Sequence, residues 1–148
     1  MAPLVSTIDV ARPQDEVFSY VTDPARFAEW QENIVSGHIE GDRPPAVGSK
    51  CMTTRRIGFA KRPVTSEITA ISPPRSWSVH GIDGPIRAAV KVTVAPLDES
   101  ARSRVTIELE FEGHGIGKPL VPLAVRRGAQ KEMPRNLQRL KDRIEGDA

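Results

Sequence analysis

The sequence has little cysteine, few aromatic residues and no long apolar segment. Cys51 is the only cysteine among 148 residues, which excludes an intrachain disulfide and is compatible with a reducing compartment. No segment approaches the roughly 20 apolar residues that a membrane-spanning helix needs. Residues 1–9 lack the basic stretch and apolar run of a signal peptide. The sequence therefore predicts a cytoplasmic protein without a transmembrane segment.

The histidines, His38, His80 and His114, are spaced unlike those of a metal site. None stands at a ligand spacing such as His-x₃-His from another histidine or from Cys51. His80 is out of phase with the apolar residues of its strand, which predicts that it faces solvent. No nucleophile–base pair and no pair of carboxylates is evident either. We therefore expect no metal and no cofactor, and the sequence assigns no catalytic residue.

The length of the chain predicts one domain over residues 1–148. Charge is distributed unevenly along it. The net charge is +2, yet residues 117–148 hold eight Lys or Arg against four Asp or Glu. Four of these cations share one face of a predicted helix: Arg127, Lys131, Arg135 and Arg139. Nucleic-acid binding usually adds exposed aromatic residues or a known motif. The sequence therefore predicts a solvated basic face and no nucleic-acid partner.

Alternating apolar and polar residues dominate the middle of the chain, which predicts β-strands. Pro13 and the pair Asp23-Pro24 each open a short predicted helix after the first strand. The predicted strands, bounded by turn residues, are Leu4–Val10, Ile34–Glu40, Ser49–Ile57, Val64–Ile71, Ser76–Gly81, Ile86–Ala95 and Val105–Glu112. A strand-then-helix order without alternation predicts an α+β protein.

The chain ends in a predicted helix between Pro119 and Glu145. Its apolar residues recur at helical spacing and share one face: Ala129, Met133, Leu137, Leu140 and Ile144. Pro134 falls inside this pattern, and an interior proline removes a backbone hydrogen bond. We therefore expect a kink at Pro134 or a helix in two pieces.

Several segments together resemble the SRPBCC (START/Bet v 1-like) superfamily, and more narrowly its polyketide cyclase/dehydrase-like branch. They are Ile8 to Pro13, Glu16 to Asp23 with Trp30, Val47-Gly48-Ser49, Pro73-Pro74-Arg75, and Leu137 to Glu145. The resemblance implies a helix-grip fold, in which a curved, seven-stranded antiparallel sheet surrounds a long C-terminal helix. Two short helices would follow strand 1. It also implies an apolar cavity between the concave face of the sheet and the last helix.

Most candidate ligand-binding residues follow from that implied cavity. They are Phe27, Trp30, Trp77, Val79, Val90, Val92, Ile107, Leu109, Leu123 and Met133. Tyr20 is a further candidate, because its hydroxyl can donate a hydrogen bond to a ligand. The alternative is that these side chains simply pack against one another, as protein interiors do by default.

Two arginine positions are candidates for the polar part of a site. Arg126 lies seven residues before Met133 and so projects onto the same helix face. It either meets an acidic ligand group or a carboxylate on the sheet, or lays its stem on apolar surface with its head in water. Alternation also places one of Arg55 and Arg56 on the concave face, but the pattern does not decide which.

Three functions are compatible with these observations. The first is binding of a small hydrophobic or amphipathic ligand, such as a lipid, a polyketide or a quinone-like molecule, without chemistry. The second is a polyketide cyclase/dehydratase-type enzyme, which the branch resemblance implies. The third is a protein-interaction module that uses no ligand. The sequence leaves open whether the protein is a monomer or a dimer.

Overall fold

The computed structural model describes residues 3–41, 44–57, 59–83, 86–97, 101–113 and 121–146, the side chains of 57, 86, 112, 113 and 121–125 excepted. The elements run in this order: β1 (Leu4–Val10), α1 (Gln14–Val21), a 3₁₀ turn (Pro24–Arg26), α2 (Phe27–Trp30), β2 (Ile34–Ile39), β3 (Lys50–Ile57), β4 (Ala60–Ser72), β5 (Ser76–Gly81), β6 (Ile86–Leu97), β7 (Arg102–Gly113) and α3 (Val121–Gly146).

The seven strands form one antiparallel sheet in the order β1-β7-β6-β5-β4-β3-β2. Two register shifts, between Ile34 and Ser36 and between Ile68 and Ala70, add bulges that bend the sheet. Helix α3 packs on the concave side against β1 and β7 and against α2. This is the helix-grip architecture, and it confirms the predicted α+β fold.

The strand boundaries differ most from the prediction where hairpins extend. β1 and β5 have the predicted bounds. β4 begins at Ala60 rather than Val64, and β6 and β7 run on to Leu97 and Gly113. In β4 the backbone pairing continues into residues 60–63, which are exposed, so burial no longer imposes an alternating pattern there.

The short helices begin close to the predicted signals. Pro13 occupies the N-cap of α1 rather than its first helical position, while the carboxylate of Asp23 accepts the Ala25 N–H at 3.0 Å. Gly37 on β2 lets the 3₁₀ turn approach the sheet, since a Cβ there would lie 2.6 Å from the carbonyl oxygen of Pro24. This close approach sets α2 over the edge of the sheet, where it contacts β2.

Helix α3 is continuous from residue 121 to 146, so the expected break into two pieces is wrong. The helix accommodates Pro134 on its solvent side. Pro134 and Gln130 are both exposed, and the Gln130 carbonyl that lacks a proline N–H partner lies on the side where water can hydrate it. The predicted apolar stripe is buried throughout: Ala129, Met133, Leu137, Leu140 and Ile144 are each no more than 8% exposed.

The last turns of α3 are tied to the junction between β1 and α1. The backbone N–H of Ala11 donates to Glu145 Oε2 at 2.8 Å, and Arg12 Nη2 donates to the Glu145 carbonyl at 2.8 Å. Lys141 Nζ donates to the Asp9 carbonyl at 3.0 Å. We call this part of the molecule, residues 9–12 with the last turns of α3, the closed end.

Candidate ligand-binding site

The concave face of the sheet is lined by apolar side chains that come from neighbouring strands. Cross-strand pairing joins Trp77 to Val92 and Val92 to Ile107 in one row. The next row of the same face, two residues further along each strand, is Val79, Val90 and Leu109. Six of the predicted site residues therefore share one surface.

Exposure rises along this surface. Val94 and Val105, nearest the closed end, are fully buried. The Trp77–Val92–Ile107 row is no more than 9% exposed, whereas Val79, Val90 and Leu109 are half-buried. We call the Val79–Val90–Leu109 row the open row. All three residues are incompletely buried, which is compatible with the entrance of an apolar site.

An aromatic cluster stands beside the open row. The Phe27 ring lies 5.9 Å from the Trp30 ring and 6.3 Å from the Trp77 ring, in edge-to-face geometry in both cases. The Nε1 atoms of Trp30 and Trp77 are buried, and neither has a hydrogen-bond acceptor among the described residues. A buried N–H without an acceptor is unfavourable, so both indoles are suited to a ligand oxygen or a bound water.

Arg55, and not Arg56, turns toward the helix. Arg55 is half-buried and interacts with Glu132 of α3, whereas Arg56 is exposed. Burial lowers the pKa of Arg55 because it disfavours the charged form, and the negative charge of Glu132 opposes that shift. The sequence pattern left these two arginines undecided, and the fold decides between them.

Glu132 also connects the helix to the loop between α2 and β2. Asn33 Nδ2 donates to Glu132 Oε1, and the Arg56 N–H donates to the Asn33 carbonyl oxygen at 2.8 Å. Asn33 and Glu132 were not predicted as site residues. No local pattern could have found them, since they are 99 residues apart and meet only when α3 crosses the sheet.

A second group of contacts lies beside this one. Glu32 Oε1 pairs with Arg135 Nη2 at 3.0 Å, and the Glu32 N–H donates to Asn136 Oδ1 at 3.2 Å. Helix α3 thus reaches the β2–β3 edge through polar side chains, while its packing on β1 and β7 is largely apolar. Arg55 lies where the apolar concave face meets this polar edge.

Tyr20 is placed away from the concave-face rows. Its hydroxyl donates to Glu29 Oε1 at 3.0 Å, and the guanidinium of Arg26 lies 5.2 Å from the ring centroid. Burial and the Glu29 carboxylate raise the pKa of Tyr20 to about 12. Tyr20 lines a separate recess of about 370 Å³ with Glu16, Ser19, Asp23, Arg26 and Ile144.

The remaining predicted residues lie on α3 or on the outer face. Met133 is buried on α3, and Arg126 is half-buried two turns earlier. The backbone of Leu123 belongs to α3, but its side chain lies outside the described residues. His80 projects from the face opposite Trp77 and Val79, as predicted, and lines a shallow outer recess of about 360 Å³.

Two properties of the described residues bear on other kinds of site. Within the ranges given above, no group of three or more histidine, cysteine or carboxylate side chains could hold a metal ion. None of the helices that these residues form is long and apolar enough to cross a membrane.

Solved structures of the START superfamily share this helix-grip fold. The chain is similar to a START superfamily protein from Mycobacterium smegmatis, with a TM-score of 0.80, 15% identity and full coverage of both chains. It is also similar to the Zhui aromatase/cyclase from Streptomyces sp. R1128, with a TM-score of 0.72, 16% identity, and coverage of 98% of this chain and 92% of that one.

A two-domain structure is similar over part of its length. The di-domain ARO/CYC BexL from the BE-7585A biosynthetic pathway has a TM-score of 0.75 and 19% identity to this chain. The match covers 98% of this chain and 47% of that one, so this chain spans about half of it. No curated protein sequence matches the chain significantly.

Residues 1–145 match the family model described as polyketide cyclase / dehydrase and lipid transport. The chain therefore belongs to this family within the SRPBCC superfamily, which confirms the resemblance noted in the sequence.

Proposed function

We propose that this protein binds a small amphipathic ligand on the concave face of its sheet, under α3. One observation carries the proposal: a half-buried apolar row adjoins Trp77, whose aromatic cluster holds two buried indole N–H groups without an acceptor among the described residues. An apolar surface with a few polar groups is the usual composition of a ligand site. The family description, which includes lipid transport, is compatible with such a ligand.

The charges of the site suggest how the ligand lies. Its apolar body would cover Val79, Val90 and Leu109, which are incompletely buried without it. An oxygen-bearing end would accept hydrogen bonds from the indole groups or from Arg55. Charge-assisted hydrogen bonds from arginine are stronger than neutral ones, so an acidic head would gain most from Arg55.

A matched pair of variants tests the location. Val90 and Ala89 are adjacent on β6 but face opposite sides of the sheet. The probe is dansyl-undecanoic acid, whose fluorescence reports transfer to an apolar environment. We expect Val90→Lys to weaken probe binding about tenfold or more, because the new charge would lie against the alkyl chain. Ala89→Lys, on the outer face, should change the affinity by less than about twofold.

Circular dichroism and a melting curve establish that both variants fold. Equal binding by the two folded variants would show that the probe does not occupy the concave face. No binding by the unmodified protein, together with no small molecule retained in native mass spectrometry, would remove the proposal. A stable protein partner in the same preparation would then favour the interaction module.

The enzymatic alternative rests on the family description and on two structural relatives named as aromatase/cyclases. A cyclase or dehydratase changes its substrate, whereas a carrier returns its ligand unchanged. Incubation with a linear poly-β-ketone, followed by mass spectrometry of the released molecule, distinguishes the two. If the substrate loses water with the folded protein but not with heat-unfolded protein, the enzymatic function is favoured.

A further inference from the structure

The end of the β3–β4 hairpin presents an aromatic ring to solvent. Phe59, between the two strands, is 111% exposed, more than any other large apolar side chain among the described residues. Arg56 near the end of β3, and Lys61 and Arg62 near the start of β4, are exposed as well. No carboxylate pairs with these three cations within the described part of the chain. We call Phe59 with these three cations the hairpin tip.

The strand register places like charges opposite each other at the hairpin tip. Arg56 pairs across the ladder with Lys61, and Arg55 pairs with Arg62. Like charges directly opposite on neighbouring strands destabilise a sheet. Arg55 turns to Glu132, but the other three cations have no such partner among the described residues. The described residues thus supply no carboxylate that compensates this positive charge, and an external anionic surface would.

On the side of β5, the hairpin tip projects beyond the neighbouring strand, whereas on the other side β2 pairs with β3 as far as Ile34 and Arg55. The β4–β5 pairing begins at Ser66 and Gly81, and Ile82 N–H donates to the Thr65 carbonyl at 3.0 Å. Residues 60–64 therefore extend past the end of β5, by about 16 Å at the usual rise per residue. On this side the hairpin tip can reach a flat surface without interference from β5.

The spacing of apolar and charged residues matches the layers of a bilayer surface. Phe59 and Ala60 lie at the extreme end, and the cations follow one and two ladder pairs behind, within about 7 Å. Interfacial protein segments bury their apolar side about 5–10 Å deep, with cations at the level of the headgroups. Single-stranded nucleic acid is instead held by several stacking rings along a groove. The hairpin tip has one ring and no groove, which favours the membrane.

We propose that the hairpin tip docks this protein on the surface of an anionic bilayer. Phe59 enters the acyl boundary, and Arg56, Lys61 and Arg62 contact lipid phosphates. β4 starts at the same end of the sheet where β5 ends and β6 begins, which is also the end that the open row faces. Docking would therefore bring the entrance of the proposed ligand site toward the lipid. The docking itself does not depend on that site.

Vesicle sedimentation tests the docking. The full chain is mixed with phosphatidylcholine vesicles that contain about one third phosphatidylserine, or none. We expect binding only to the anionic vesicles, and weaker binding as salt screens the charges. Phe59→Ala should weaken binding about tenfold. Changing Arg56, Lys61 and Arg62 to Gln should weaken it about a hundredfold, at roughly fivefold for each cation.

Two controls match these changes elsewhere in the molecule. Changing Arg127, Lys131 and Arg139 to Gln removes the same charge from the exposed face of α3. Val47→Ala removes an apolar side chain that is 66% exposed, before the other end of β3. We expect less than about twofold loss of vesicle binding from the Val47 variant and less than about fivefold from the α3 variant.

Three results would overturn the proposal. The first is no binding to anionic vesicles by the unmodified chain. The second is an equal loss in the α3 variant, which would place the contact on the helix. The third is that the unmodified chain binds a single-stranded oligonucleotide but not vesicles, and that the variant without the three tip cations loses this binding. Val90→Lys should retain vesicle binding, so failure of docking and failure of ligand binding are distinguishable.

Discussion

The two ends of this molecule are built differently although they share one sheet. At the closed end, hydrogen bonds tie α3 to residues 9–12, and Val10, Val94, Val105 and Leu140 are fully buried. At the other end the open row is half-buried and the hairpin tip is exposed. Packing and backbone contacts are complete at the closed end, and the proposed binding surfaces lie where they are incomplete. Each prediction below tests that difference.

The largest effect is expected from Leu140→Ala at the closed end. Leu140 is 0% exposed, and removing a fully buried leucine leaves a cavity that lowers the free energy of unfolding by about 2–5 kcal/mol. The matched variant, Leu109→Ala in the open row, removes a half-buried side chain and should lose less than about half as much. Urea unfolding measures both. Equal losses would mean that the two ends are equally well packed.

A smaller effect, on binding, is expected from Arg55→Met. We expect the affinity for dansyl-undecanoic acid to fall about tenfold, because a charge-assisted hydrogen bond to the carboxylate is lost. The methyl ester of the same probe carries no charge and should bind both proteins equally. Arg56→Met serves as the control, since Arg56 is exposed. An equal loss for acid and ester would exclude Arg55 as the partner of the acidic head.

The buried hydroxyl of Ser103 gives a third comparison. Ser103 is 0% exposed, and its Oγ donates to the Arg12 carbonyl at 2.8 Å. Ser103→Ala leaves that carbonyl without this donor, which should lower the free energy of unfolding by about 1 kcal/mol. Ser72→Ala, at an exposed position of β4, should change it by less than about 0.5 kcal/mol. An unchanged free energy of unfolding in the Ser103→Ala variant would show that water replaces the hydroxyl there.

The smallest effect concerns acid sensitivity at the closed end. Lys141 and the Ala11 N–H hold the pKa of Glu145 below its usual value. A carboxylate with a lowered folded-state pKa stabilises the protein above its unfolded pKa and loses that contribution as pH falls through the folded value. Glu145→Gln should therefore flatten the decline of unfolding free energy below about pH 4.5. An unchanged slope would show that Glu145 contributes nothing to it.

Secondary structure was predicted best where burial makes apolar residues recur at a regular spacing. Val105, Ile107 and Leu109 alternate with polar residues in β7, and the apolar stripe of α3 recurs at helical spacing, so both elements were recognised correctly. Of the two alternatives predicted at Pro134, the helix in two pieces is wrong, because local propensity does not show that the interrupted carbonyl faces solvent. The extra length of β4 was missed because residues 60–63 are exposed and carry no alternating pattern.

The candidate site was predicted in part, for the same reason. Six apolar residues on β5, β6 and β7 share the concave face as expected, since strand alternation alone determines which residues share a face. The placement of Tyr20 beside Glu29 and Arg26 depended on how α1 and α2 meet. The roles of all twelve candidate residues at a ligand stay predictions.

By itself, the order of apolar and polar residues determined the seven strands and the amphipathic last helix, because these depend on periodicity and on turn residues nearby in the chain. The family was implied by the resemblance of several segments to a known superfamily. Only the tertiary structure decided that Arg55 meets Glu132, that two indole groups are left without an acceptor among the described residues, and that Phe59 projects into solvent. Those outcomes depend on contacts between residues far apart in sequence. Such contacts come from the curvature of the sheet and the path of α3, which no local pattern encodes.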